Sequence, residues 1–584
     1  MMEHRGIGTR SGGFLARRSR SSARVLAMGG LLSLGACVDD GEPLTPAPGS
    51  TTDAEASTGS GTTTQGPGED SSSGSSSGST SSADESSADA SSTGEPGETL
   101  LERVATAMGG AEVLLELGTL RIESTGESQI IEEGYLPGAS FITTTFMETA
   151  SFDLAQNALR IDIDRSVGTF GVPTPQTLSE IVLAEEGWID GVESLFGLPS
   201  GPMPPDRLAS ERRQQRLLNP HLMIREALAD PSLASEGPTE LGLAQLVIDD
   251  AVHPVVLWID EATDLPVRAT TLENDHVYRD VELEITYEGW AETGAGPWFP
   301  MEVVLSVHDQ ISRAETRTSI EVEPRLPIDA FVLPGEPLAW SADDAARGAR
   351  NHHFHQVWAN AGLPRDGLDL DIVPVAVPGH DAVTLLTGPS AYNSLVIERE
   401  AGVVVVEAPL YAPRCEAILE WIDAEIGKPV EAVIITHHHY DHSACARTFV
   451  GAGATLVASQ AAGEFWDEVL AAPSAVEPDR LAESGVERTL QTVTGSFELG
   501  GDPLSVQVFE VASEHAADIT MVLADGVLFT SDLYSPGFTL LLPYGPSDLL
   551  AAVELFGVGA QVDAITGGHG AEVHTLAQLQ AAAP

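Results

Sequence analysis

The sequence predicts an α/β fold for the C-terminal part of the chain, preceded by a mostly antiparallel α+β domain. Three patterns carry that expectation. From Ile372 onward short apolar runs alternate with helical stretches, the order of a layered α/β structure. Between residues 99 and 340 apolar and polar residues alternate within short runs joined by turn signals, as in antiparallel strands. From Val38 to about Gly97 almost no large apolar residue occurs, so that stretch cannot bury a core. At 584 residues the chain exceeds one ordinary domain. The expected organisation is a targeting segment (1–37), a Ser/Thr/Gly-rich linker (38–98), a β-rich domain (99–340), a connecting segment (341–371) and an α/β domain (372–584).

The first segment carries Arg5, Arg10, Arg17, Arg18, Arg20 and Arg24 ahead of the apolar run Val25 to Leu32. That run is short of the ~20 apolar residues a membrane-spanning helix needs, so it reads as a targeting signal. Its end, Leu34-Gly35-Ala36-Cys37, resembles a bacterial lipobox, which implies lipidation at Cys37 and a membrane partner through that anchor. A bacterial cell-envelope location follows. Val38 does not resemble an inner-membrane retention signal, which favours the outer membrane. The linker, with runs such as Ser71-Ser72-Ser73-Gly74, is expected to act as a self-repelling spacer that holds the folded part off the surface.

The chain carries 87 acidic against 29 basic residues, a net charge of −58. Such a surface repels phosphate backbones, so nucleic acid is excluded as an expected partner. Three cysteines occur. With Cys37 assigned to lipid, Cys415 and Cys445 cannot build a disulfide framework, and a single bridge between them stays open.

In the β-rich domain, Leu100 to Gly110 reads as a helix stopped by glycine. Val281 to Tyr287 alternates strictly, and Val255 to Asp260 turns through Glu261-Ala262-Thr263-Asp264 into Leu265 to Arg268 as a hairpin. A helix followed by such a meander is similar to periplasmic lipoprotein-carrier domains. That similarity makes the region a cradle for an apolar ligand, a docking surface, a platform at the catalytic mouth, or a packing partner. His253, His276 and His308 lack ligand spacing and are read as structural. His352, His353 and His355 in the connecting segment are read as part of a solvated linker, because a histidine-rich tract is only compositional evidence. His574 has no motif role.

Behind the apolar Ala432-Val433-Ile434-Ile435 stands Thr436-His437-His438-His439-Tyr440-Asp441-His442. Neutral imidazoles and a carboxylate released at a strand end are the ligands that zinc prefers. Three further candidates follow, each just past a strand-like run: His515 after Leu504 to Val511, Asp532 after Val527 to Thr530, and His569 after Val562 to Ile565. His438 and Tyr440 face the other way in the alternation and are expected to pack or to brace ligands.

The spacing His437-x-His439-x-Asp441-His442, with His515, Asp532 and His569 in order, resembles the signature of the metallo-β-lactamase-fold hydrolases. The resemblance covers roughly 372–584 and implies an αββα sandwich. It implies that His437, His439 and His515 hold one zinc ion, that Asp441, His442 and His569 hold a second, and that Asp532 bridges them. Two zinc ions per chain would lower the pKa of a bridging water, giving a hydroxide that attacks an ester, lactone, lactam or similar small molecule. Asp441 would orient that nucleophile and accept its proton. Glu407 stands where many relatives carry Asp, and Ser531 where Gly commonly precedes the bridging Asp; Glu407 is expected to brace a ligand histidine. The Pro/Gly-rich apolar stretch Leu533 to Pro546 reads either as ordinary packing of a strand and loop or as a lip for an apolar substrate, with Tyr534 or Tyr544 as a substrate contact. A mononuclear iron sulfur dioxygenase would share His437, His439, His515 and Asp532, with iron in place of zinc. A non-enzymatic ligand-binding surface lipoprotein is the alternative of a different class.

Overall fold

The computed structural model describes residues 97–583, except 132, 140, 169–172, 192–199, 295, 361–369, 389–391 and 539–541. The targeting segment, Cys37 and nearly all of the linker lie outside the described residues, as does part of the apolar stretch after Asp532. Thr99 caps the first helix, Leu100–Ala107, in a reciprocal box with Glu102. Among the described residues, thirteen strands then form one antiparallel sheet. The chain runs outward from Thr119–Ile130 through Phe141–Asp153 to Gly201–Pro202. It crosses by helices Pro205–Leu218 and Pro220–Ala229 to the opposite edge and returns strand by strand to Gln310–Val322, which pairs with Thr119–Ile130. The expected hairpin is present as Val255–Asp260 and Pro266–Asp275.

The connecting segment forms helices Ala342–Arg350 and His352–Asn360. Here the structure corrects the solvated-linker expectation. His352 and His353 are buried, and His352 Nδ1 lies 2.9 Å from the Glu273 carboxylate. Glu273 is itself buried and pairs with Arg213 on the helix Pro205–Leu218. A charge out of water needs a partner, and the histidine tract supplies one from a distant part of the chain.

The C-terminal part is an αββα sandwich. A seven-stranded sheet runs in the order Val373–Ala376, Val383–Thr387, Ser394–Glu398, Val403–Val406, Val430–Ile434, Thr455–Ser459, Leu490–Val493. A five-stranded sheet runs from Ser496–Leu499 to Ala564–Thr566. Alternation along single strands builds the layers. Val404 and Val406 face the other sheet, where Val522, Ala524 and Phe529 meet them. Val403 and Val405 face the helix Ala412–Glu425 through Ile418 and Ile422. Met521 and Leu523 face the helices Gly545–Leu555 and Leu576–Ala582. Each such fully buried aliphatic side chain contributes about 1.5–3 kcal/mol.

Cys415 and Cys445 are joined as a disulfide, with Cα atoms 6.1 Å apart. After the histidine run a short helix covers Tyr440–Ser443, and helix resumes at Ala446–Gly451. At the break, Cys445 donates its N–H to Ala408 O and bonds to Cys415. Ser92–Pro584 is one compact unit. One apolar cluster runs from Val277 and Val281 through Phe354 to Tyr411, Cys415 and Tyr440.

Candidate metal centre

The site forms where strands of the two sheets end side by side. After the buried strand Val430–Ile434, Thr436 is held by its hydroxyl donating to Glu407 Oε1 at 2.7 Å and by Thr520 N–H donating to its carbonyl at 2.8 Å. His437 follows, then His439 at the start of the helix Tyr440–Ser443, whose first turn carries Asp441 and His442. His515 lies between strands Val506–Glu510 and Thr520–Ala524. Asp532 sits in the tight turn Ser531–Leu533, and His569 follows Ala564–Thr566.

His437, His439, His515 and Asp532 each bring a ligand atom within 4.8 Å of all the others. Asp441, His442, Asp532 and His569 do the same. The two groups share Asp532, and its oxygens divide between them. Oδ2 lies 3.3 Å from His515 Nε2, whereas Oδ1 lies 2.8 Å from His442 Nε2 and 2.9 Å from His569 Nε2. His437 Nε2 and His515 Nε2 face each other at 3.1 Å. Asp441 Oδ2 lies 3.3 Å from His442 Nε2 and 3.4 Å from His569 Nε2. Among the described residues, His439 Nδ1 and Asp441 Oδ1 are buried with no hydrogen-bond partner. Such atoms are costly unless something binds them. Imidazole nitrogens with carboxylate oxygens are a donor set that fits zinc.

Electrostatics divides the two groups. Burial, together with the neighbouring imidazoles, holds His437 and His439 well below the ordinary imidazole range, so both keep a free lone pair at neutral pH. Around the second group burial is outweighed. Asp441, Asp532 and Glu407 hold His442 well above its ordinary value, and Asp532 with Asp441 raises His569 to about 9. Asp441 and Asp532 are lowered in turn, against burial, by those imidazoles. Protonated histidines here balance charge that a divalent cation would otherwise balance.

Glu407 braces the centre as expected. Its Oε2 lies 2.8 Å from His442 Nδ1, and its Oε1 accepts from Thr436 and, at 2.8 Å, from Ser531. Ser531 adopts φ +51°, a backbone region that favours glycine. Gly568 is required for another reason: a Cβ there would lie 2.6 Å from His442 Cε1. The Asn393 N–H donates to Gly568 O at 2.8 Å and its side-chain amide to Gly567 O at 2.9 Å, which seats the His569 loop.

All seven expected ligands are thus brought together. His438 points away and meets the buried Asp518 at 2.7 Å, and the Tyr440 hydroxyl reaches Asp275 at 3.2 Å. The Tyr534 hydroxyl is engaged with His574 Nδ1 at 2.6 Å, while Phe538 stacks on His569. Three neighbours carried no sequence signal: Asn393, Asp518 and the Glu133-Gly134 pair, whose Gly134 carbonyl accepts from His439 Nε2 at 3.1 Å.

Residues 387–576 match the family model described as the metallo-beta-lactamase superfamily. The C-terminal part of this chain is therefore a metallo-beta-lactamase superfamily domain. Solved structures similar to it include the metallo-beta-lactamase FIM-1 from Pseudomonas aeruginosa in a mono-zinc form, at 18% identity over 37% of this chain and 94% of that one, TM-score 0.28. A metallo-beta-lactamase from Pontibacter korlensis matches at 15% identity over 36% and 96%, TM-score 0.29. No curated protein matches.

Proposed function

We propose that this protein is a dinuclear zinc hydrolase acting on an ester, lactone, lactam or similar small molecule. The observation that carries this reading is Asp532, whose two oxygens face two separate groups of histidines and carboxylates. His437, His439 and His515 would hold one ion, and Asp441, His442 and His569 the other. Bound zinc supplies a nucleophile drawn from water at neutral pH and polarises the scissile group. Asp441 Oδ1, buried and without a hydrogen-bond partner, is the atom that accepts the proton. Anchoring through Cys37, facing the cell envelope, belongs to the same proposal; its check is incorporation of labelled fatty acid, lost in Cys37→Ser.

The test is metal content by mass spectrometry on the purified chain beside His437→Ala and Asp532→Ala, with a screen of esters, lactones and lactams. Two zinc per chain, diminished in both variants, supports the proposal. One iron per chain with oxygen consumption would replace it with sulfur oxygenation, and no metal would leave a binding protein.

A further inference from the structure

The metal centre is walled on one side by the upstream domain. The turn between strands Thr119–Ile130 and Phe141–Asp153 lies against both ligand-bearing loops at three points. Ala517 N–H, two residues past His515, donates to Tyr135 O at 2.8 Å. Tyr440 N–H, beside His439, donates to Glu133 Oε1 at 3.2 Å. His439 Nε2 lies 3.1 Å from Gly134 O. A carbonyl can only accept, so the His439 proton resides on Nε2. An imidazole that ligates a metal is neutral and carries a single proton. Nδ1 is left with its lone pair, buried and without a hydrogen-bond partner, facing the Glu133 carboxylate at 3.4 Å.

We propose that Glu133-Gly134 is a positioning element for the metal centre: the Gly134 carbonyl fixes the tautomer and ring orientation of His439 so that Nδ1 is the atom offered to the metal. The inference rests on the metallohydrolase reading and extends it, because it makes the upstream domain a working part of the site. Outer hydrogen bonds of this kind set ligand orientation and basicity, and their loss costs roughly 10–100-fold in metal affinity.

Gly134→Ala is the direct perturbation, since a Cβ there would lie 2.8 Å from the Ala139 carbonyl carbon and force the turn to shift. Zinc titration of the full chain against a competing chelator is expected to show one of two equivalents weakened roughly 10–100-fold and the other unchanged. Unchanged affinity for both, in a variant with native circular dichroism, overturns the proposal. A second measurement needs no variant. In the zinc-loaded wild-type chain, imidazole ¹⁵N shifts are expected to place the His439 proton on Nε2 and the metal on Nδ1; a proton on Nδ1 overturns the proposal even when Gly134→Ala does not fold. A wild-type chain that binds no zinc overturns the hydrolase reading and this inference with it, an outcome distinct from two retained equivalents in the variant.

Discussion

Glu407 ties the two halves of the centre together, with one oxygen on Thr436 and Ser531 and the other beside His442 Nδ1. Glu407→Gln keeps its shape but puts an amide where an acceptor is needed. The expected result is a roughly 10–100-fold weaker second zinc equivalent with the first retained, read by chelator competition; equal affinity for both would remove Glu407 from the site. His569 sets a pH dependence in the metal-free protein. Its pKa stands at about 9 against an ordinary value of about 6.5. A raised pKa stabilises the fold fully below the unfolded value and loses that contribution as pH rises through the folded one. Metal-free protein is therefore expected to melt at a higher temperature near pH 6.5 than above pH ~9. Replacing His569 by Gln should flatten that difference, and an unchanged slope would contradict it.

Among elements, the helix Ala412–Glu425 and the break before Ala446–Gly451 are stapled by Cys415–Cys445, 30 residues apart. Closing a loop of that size stabilises by about 3–4 kcal/mol in the chain-entropy model. A Cys415→Ala/Cys445→Ala double variant should lose several degrees in Tm by calorimetry, whereas an unaltered Tm would mean the bridge contributes nothing. The sequence left this pairing open because spacing along a chain does not reveal separation in space. The ligands were legible for the opposite reason: each lies directly past a strand whose apolar pattern marks its end, so local order sufficed. Gly134 was not legible, standing 305 positions before His439 with nothing periodic around it. The His352 tract was misread because its burial depends on Glu273, 79 residues away on a strand of the large sheet. Sequence pattern carried the elements and the local motif; contacts made only by tertiary packing stayed hidden.

At the scale of the whole molecule, the large sheet and the sandwich are joined by polar contacts as well as by a shared apolar core. Asp280 accepts from Ala475 N–H at 2.7 Å and from Val476 N–H at 3.0 Å, Arg279 donates to Glu477 O at 2.8 Å, and Asn351 reaches Glu477 at 2.9 Å. Elements so joined should unfold together, so the metal-free chain is expected to give a single calorimetric transition; two separated transitions would show that the sheets are independent. Charge acts on the whole chain in one direction. A net charge of −58 repels itself over a Debye length of about 30 Å at 0.01 M salt, shrinking to about 8 Å at 0.15 M. Salt also weakens exposed ion pairs, but those contribute little, and buried pairs such as Arg213–Glu273 and Arg447–Asp479 are screened much less. Relief of repulsion should therefore win. The Tm is expected to climb between about 0.01 and 0.15 M NaCl and to level off beyond, and a Tm that falls over that range would mean attractive surface pairs outweigh the excess of carboxylates.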